Sequence, residues 1–302
     1  MKAIKTISEF HQFRKLPPPH HPLISVVDVA AVPTPDSHEP ESMMLGFYSI
    51  SVKRMEGVSI RYGQQPFDFN EGVMSFMSPN QVFSMAFGNQ EQEVKRSGWV
   101  MYIHPDFIWN TSLAKTIHHY DFWDYSLHEA LFLSAKEEQL INGIIQNILQ
   151  EYQGTIDRFS KQIIISQLEG LLSYADRFYH RQFITREKSS HEVLEHLEAL
   201  LHTYFASDDL INRGLPTVQF VAEELHLSPK YLSSLLRTLT GQNTQQHIHE
   251  KLIEKAKEKL AATSLTVGEI AYEMGFEHLQ SFSKLFKAKT KMSPVQFRAS
   301  FN

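Results

Sequence analysis

From residue 22 to residue 102 the apolar positions come in short runs broken by Gly, Pro and Asn: LISVVDVA, LGFYSISVKR, GVSIRY, GVMSFMS, VFSMAF and GWVMYI. These runs are rich in Val, Ile, Phe and Tyr, which fit a pleated, half-buried surface, and no helical period separates them. Strands at this spacing predict a sandwich or barrel in the first third of the chain. From about residue 136 the period becomes helical. KEEQLINGIIQNILQEY places Leu140, Ile144 and Ile148 at spacings of four, and FSKQIIISQLEGLLSYADRFY places Ile164, Leu168, Leu171 and Leu172 at three and four. Each segment predicts a helix with one apolar stripe, to be buried on the β domain, on the other helix or on a second copy of the chain. The stripes are larger than one thin β domain needs, which predicts a homodimer through residues 136–179.

The stretch RQFITREKSSH, residues 181–191, is polar and lacks a periodic apolar set, so it reads as a linker. After it come helices only, and two TV segments form an internal repeat. Val221-Ala222 matches Ile270-Ala271, Leu225 matches Met274 and Leu227 matches Phe276, with one long helix over 244–262 between the copies. In each copy a short helix, a tight turn and a second helix follow in the order of a helix-turn-helix. Gly275 stands just past the last apolar residue of a first helix, where a left-handed backbone is needed and glycine adopts it without steric cost. The first copy has His226 at that position, followed by Ser228, a good N-cap, and Pro229 at the first helical residue.

Charge sharpens this picture. Over its 302 residues the chain has a net charge of -5, which by itself argues against a nucleic-acid partner. The last segment reverses the sign: residues 279–302 hold Lys284, Lys287, Lys289, Lys291 and Arg298 and no acid. A phosphate meets the local face and not the average. The absence of cysteine excludes disulfides and thiolate sites and fits a reducing compartment. MKAIKTISEFHQF has no continuous apolar core, and the most apolar runs fall short of the ~20 residues that span a bilayer, so neither a signal peptide nor a membrane partner is expected.

The segment from about residue 215 to residue 298 resembles the DNA-binding domain of the AraC-type (AraC/XylS) bacterial transcription regulators, through GF at 275–276, SFSKLFK at 281–287 and SPVQFR at 293–298. The resemblance implies an α+β chain: a cupin-like β-barrel with paired helices for sensing and dimerisation over 1–184, then an all-α double helix-turn-helix domain over 185–302. It also implies that residues 228–239 and 279–289 enter successive major grooves of double-stranded DNA. Lys230, Arg237, Lys284, Lys287 and Lys289 suit phosphates. Base readout falls to Lys230, Tyr231 and Ser233 in the first unit and His278, Gln280 and Ser281 in the second. Ser234 and Lys291 stand where members commonly have arginine and glycine. RNA polymerase and a small-molecule effector are the further partners implied, with a homodimer in the cytoplasm.

No catalytic chemistry competes with this reading. His20, His21, His38 and His104 lack the spacing of a cupin metal site, with Gln81 about where a ligand would be expected. His118-His119 and His247/His249 do not share a helix face as a four-residue spacing would. No cofactor and no enzyme activity are therefore expected, the alternatives being a cupin-type enzyme with an accessory helical domain and a protein-binding scaffold. Phe47, Tyr48, Phe76, Trp99 and Tyr102 are candidates to line an effector pocket.

Overall fold

The computed structural model describes residues 2–33, 41–55, 60–62, 65–67, 72–85, 96–154, 157–207 and 209–301. The chain divides into two compact units, residues 1–182 and 183–302.

The first unit mixes strands and helices: β1 (Lys2–Ile4), α1 (Ile7–Phe13), β2 (Ile24–Asp28), β3 (Glu41–Leu45), β4 (Tyr48–Met55), β5 (Ile60–Tyr62), β6 (Gln65–Phe67), β7 (Gly72–Met77), β8 (Val82–Met85) and β9 (Arg96–Ile103). Then follow α2 (Pro105–Ile108), α3 (Ser112–Thr116), β10 (Leu131–Leu133), α4 (Ala135–Gln153) and α5 (Ser160–Thr185), which reaches past the unit boundary. An antiparallel sheet has the order β10-β7-β4-β9-β2, a second β1-β3-β8 with β1 parallel to β3, and β5 pairs with β6. Among the described residues these sheets are open, so the class is α+β with stacked sheets, and barrel closure is not among the pairings. The six strands expected from alternation are present in part or whole, β3 is additional to them, and β1, β6 and β10, of three residues each, are too short to announce themselves by period.

Burial explains the stacking. Met43 and Leu45 of β3, Ile4 and Ile7 near the start, and Val100 and Tyr102 of β9 form one apolar cluster that joins the two larger sheets. Phe47 packs edge-on against Tyr102 at 5.6 Å, and Phe76 lies 4.3 Å from Phe122. Trp99 spends its indole N–H on Asn142 Oδ1 at 2.9 Å. The five aromatics expected around a pocket are thus buried core, shared between separate clusters.

Both long helices are tied to the sheet of their own chain. Arg54 pairs with Glu138 of α4, and Gly72 leaves the room that carboxylate occupies. Along α5, Tyr179 donates to the Glu129 carbonyl, Gln182 accepts from Phe132 N and donates to the Ala130 carbonyl, and Arg181 reaches the Phe132 carbonyl at 2.7 Å. These side chains cover the β10 edge that would otherwise expose unpaired backbone groups. Two expectations change as a result. The buried stripe of α4 is Ile141, Ile145 and Ile148, and Leu140 and Ile144 are only half-buried. Apolar residues fill both adjacent rows, so period alone cannot choose between them, whereas the Glu138 and Asn142 bonds fix the helix rotation. The α5 stripe is already covered within one chain, Leu168 being 0 % exposed, and offers nothing to a second copy.

The second unit is helical: α6 (Glu187–Ala206), α7 (Asp209–Arg213), α8 (Val218–Glu224), α9 (Pro229–Thr240), α10 (Thr244–Ala262), α11 (Val267–Glu273), α12 (Leu279–Thr290) and α13 (Pro294–Ala299). The polar stretch 181–191 is helical apart from a turn at Arg186, not an extended linker. It lacks a stripe but also lacks a glycine or proline to stop a helix.

Candidate nucleic-acid interface

Each repeat begins with a capped short helix. Thr217 accepts from Phe220 N at the start of α8, and Thr266 forms a capping box with Glu269 at the start of α11. The turns then match bond for bond. Leu227 N donates to the Ala222 carbonyl at 2.9 Å and Phe276 N to the Ala271 carbonyl at 3.0 Å, each closing over a left-handed residue. Those residues are His226 at φ +56° and Gly275 at φ +78°. This is a helix stop that satisfies carbonyls the helix itself leaves open. The second turn is one residue longer: α9 is capped two residues after His226, α12 three residues after Gly275.

The repeat continues beyond the helix-turn-helix. Thr240 Oγ1 donates to the Leu236 carbonyl and accepts from Gln242 N, and Thr290 Oγ1 does the same with Phe286 and Met292. Gly241 and Lys291 take the left-handed C-cap at φ +78° and +64°. Asn243 and Ser293 then cap α10 and α13 in boxes closed by Gln246 and Gln296. Helices α8 to α13 are therefore two three-helix repeats in which the long α10 is the counterpart of the short α13. The signal was present as a cap residue with glutamine three positions later, a pattern masked by the difference in helix length.

On α9, Leu232, Leu235 and Leu236 are buried, and the proposed contact residues are partly committed inward. Tyr231 meets the Phe183 ring edge-on at 5.1 Å, Ser233 shares a 3.0 Å hydrogen bond with Thr244, and Ser234 is only 8 % exposed. Lys230 and Arg237 are exposed. On α12 the inner face is aromatic: Phe282 contacts Phe276 at 5.5 Å and Phe286 at 5.8 Å, and Phe286 leans on Phe297. His278, Gln280, Ser281, Lys284, Lys287 and Lys289 are all exposed along this helix. His278 occupies the N-cap without a side-chain capping bond.

Electrostatics separate α10 from α12. On α10, Lys251 and Lys255 pair with Glu254 and Glu258, and Lys259 pairs with Glu273 of α11 at 2.5 Å. Lys284 and Lys287 of α12 make no ion pair among the described residues. His249 is held below its usual pKa by burial, and the nearby Lys289 charge acts in the same direction.

Two short helices crossing on a longer one, with basic second helices, are the geometry of a DNA-binding helix-turn-helix pair. Residues 221–300 match a family model described as a helix-turn-helix domain, and the second unit carries the AraC-type DNA-binding domain. An uncharacterized HTH-type transcriptional regulator of Staphylococcus aureus is 30% identical over 140 residues, covering 46% of this chain and 17% of that protein. The regulator YfiF of Bacillus subtilis, also uncharacterized, is 30% identical over 176 residues, covering 58% of this chain and 49% of its own. The chain thus spans less than half the length of these relatives. Among solved structures, the C-terminal domain of the response regulator yesN from Fusobacterium nucleatum is 29% identical, covering 35% of this chain and 98% of that one with a TM-score of 0.31. Fatty-acid-bound ToxT from Vibrio cholerae is 15% identical and covers 91% of this chain and 94% of that one, at a TM-score of 0.29.

Proposed function

We propose that the chain is a sequence-specific transcription regulator that acts by binding double-stranded DNA. The observation that carries this reading is α12, the second helix of a helix-turn-helix, whose exposed lysines Lys284 and Lys287 lack acidic partners among the described residues while Lys251, Lys255 and Lys259 of α10 are paired with glutamates. Phosphate contact supplies most of the affinity of such a helix, and exposed polar groups near its start supply the reading of bases. Lys230 and Arg237 take the phosphate role on α9 and Lys284, Lys287 and Lys289 on α12. His278, Gln280 and Ser281 read bases in the second unit. Lys230, Tyr231 and Ser233 do so in the first, where Ser234 lies below the surface, so discrimination rests mainly on the second unit.

The same proposal takes residues 1–184 as a cupin-like sensing domain and residues 185–302 as the DNA-binding domain, in a cytoplasmic protein that works with RNA polymerase, answers to a small-molecule effector and needs no cofactor. No helix among the described residues is long and apolar enough to cross a membrane. A homodimer belongs to the proposal through exposed apolar residues such as Trp109, Phe159 and Ile163, since the stripe of α5 is already buried. The test is selection of genomic fragments on the full-length protein, followed by titration of those retained. A shared two-part site with steep salt dependence is expected, and retention of no fragment above background at low salt overturns the reading.

A further inference from the structure

The first unit contains a pocket of about 130 Å³ on its helical side, away from the aromatic clusters described above. Leu23 and Ile24 of the β2 approach, Phe107 of α2 and Ile164 of α5 line it with apolar surface, and His21, Tyr152, Lys161, Glu151 and Asp157 add polar groups. What distinguishes it is the balance of spent and unspent hydrogen-bonding capacity.

Three donors remain. His21 accepts the Leu23 N–H through Nδ1 at 3.1 Å, which places the proton of its neutral ring on Nε2, and Nε2 has no partner among the described residues. The ring stands edge-on to Phe107 at 5.5 Å, and burial together with the Lys161 charge holds its pKa low. Tyr152 is buried, and its hydroxyl oxygen accepts from His20 N at 2.9 Å, leaving the hydroxyl proton without an acceptor. Lys161 donates one of its three N–H groups to the Trp109 carbonyl at 3.2 Å and lies 5.9 Å from the centre of the Phe107 ring.

The acids are placed differently. Asp157 is exposed, and its Oδ1 is committed to capping α5, accepting from Phe159 N, Ser160 N and the Ser160 hydroxyl. Glu151 is half-exposed at the end of α4 and is the acceptor left over. Two neutral donors without acceptors, the half-buried His21 Nε2 and the Tyr152 hydroxyl, beside the exposed Lys161 ammonium favour an anion, because a carboxylate can accept from all three at once and its bonds to them are charge-assisted.

We propose that this pocket binds a small monocarboxylate with an apolar body of about ten non-hydrogen atoms, its carboxylate received by Lys161, His21 and Tyr152 and its body lying on Leu23, Ile24, Phe107 and Ile164. Glu151 and Asp157 set the charge limit, since a second carboxylate would meet these two negative groups in the lining. The site selects monoanions over dianions and over neutral isosteres.

The test is calorimetric titration of phenylacetate into the full-length protein without DNA, so that its outcome is independent of the DNA-binding reading. One saturable site per chain is expected, with phenylacetamide and phenylmalonate each bound roughly tenfold more weakly or worse. Lys161→Met keeps the aliphatic stem and His21→Phe keeps the ring packing, and each should weaken phenylacetate roughly tenfold. Leu23→Trp, which fills the pocket, should abolish binding while leaving the thermal midpoint near that of the wild type. Absence of saturation at millimolar phenylacetate overturns the proposal. So does wild-type affinity in both Lys161→Met and Leu23→Trp, because binding would then lie elsewhere.

Discussion

Gly275 and Gly214 stand back to back: a β-carbon on Gly275 would lie 3.0 Å from Gly214 Cα and 2.9 Å from the Leu210 carbonyl oxygen. Both have positive φ, +78° and +74°. The turn of the second repeat is thus seated on the end of α7, and glycine is required there for backbone conformation and for space together. Gly275→Ala should destabilise the protein by about 2–4 kcal/mol, combining a left-handed penalty of about 1–2 with backbone crowding. Gly275→Val should be worse. Gly143, inside α4 with open space around a built β-carbon, is the contrast: Gly143→Ala should stabilise by about 0.5–1 kcal/mol. Denaturation midpoints equal to wild type for Gly275→Val would refute the seating.

Two other left-handed positions carry side chains. His226 has φ +56° where the second repeat has glycine, and Lys291 has φ +64° where the first has Gly241. His226→Gly should raise stability by up to about 1 kcal/mol, the relief of strain exceeding the extra freedom of the unfolded chain. Lys291→Gly should stabilise similarly and also remove a cation beside α12, so its DNA affinity should fall and that of His226→Gly should not. Paired measurements of melting and DNA binding on both variants check this, and a loss of affinity in His226→Gly alone would contradict it.

Leu168 and Leu172 are core residues of the first unit, 0 % and 1 % exposed. Leu168→Asp should therefore prevent folding of that unit, since a buried carboxylate here would have no partner. Circular dichroism should show lost structure whatever the oligomeric state. A folded Leu168→Asp protein with altered sedimentation would instead put this face at an interface between copies.

The sequence carried the helical unit further than the β unit, for physical reasons. Helix starts are written locally: Ser228 before Pro229, or Thr266 with Glu269, specify a cap within four residues. Gly275 likewise marks its turn by itself. Strands such as β1 and β10 have three residues each, and only their partners β3 and β7 make them strands. The rotation of α4 was equally invisible, because Leu140-Ile141 and Ile144-Ile145 offer two adjacent apolar rows and the choice rests on Glu138 reaching Arg54. On the interface, exposed α12 positions were legible from spacing and charge. The inward commitment of Ser233 and Tyr231 was not, since it depends on Thr244 and Phe183, residues on other helices.

Affinity for DNA should fall linearly in logarithm with salt. Each phosphate contact contributes a slope of about -0.9, so Lys284→Ala and Lys287→Ala should each flatten the slope by roughly that amount and weaken binding to all sequences alike. Gln280→Ala should leave the slope unchanged and relax preference at one base position. A slope unaltered in the Lys284→Ala, Lys287→Ala double variant would remove α12 from the phosphate backbone.

The distance between the two units follows from α10. It runs Thr244–Ala262, 19 residues, and at ~1.5 Å per residue spans roughly 28 Å. Its buried residues Ile248, Leu252, Ala256 and Leu260 recur at four-residue spacing along the whole length, so it is packed from end to end and cannot hinge without opening the core. Adding the width of a recognition helix at the ends brings the separation of α9 and α12 near the ~34 Å of one DNA turn. One chain should then read two short elements about 10 base pairs apart on the same face of the duplex. Inserting about 5 base pairs turns one element to the far side, where a helix of fixed length cannot follow, and binding should drop strongly. A second insertion that restores a full turn should recover little, because the span would exceed what α10 can bridge. If the inserted sites bind with unchanged affinity, only one unit touches DNA, and that unit is the second, because on α9 Ser234 is buried and Tyr231 and Ser233 are each partly committed to Phe183 and Thr244.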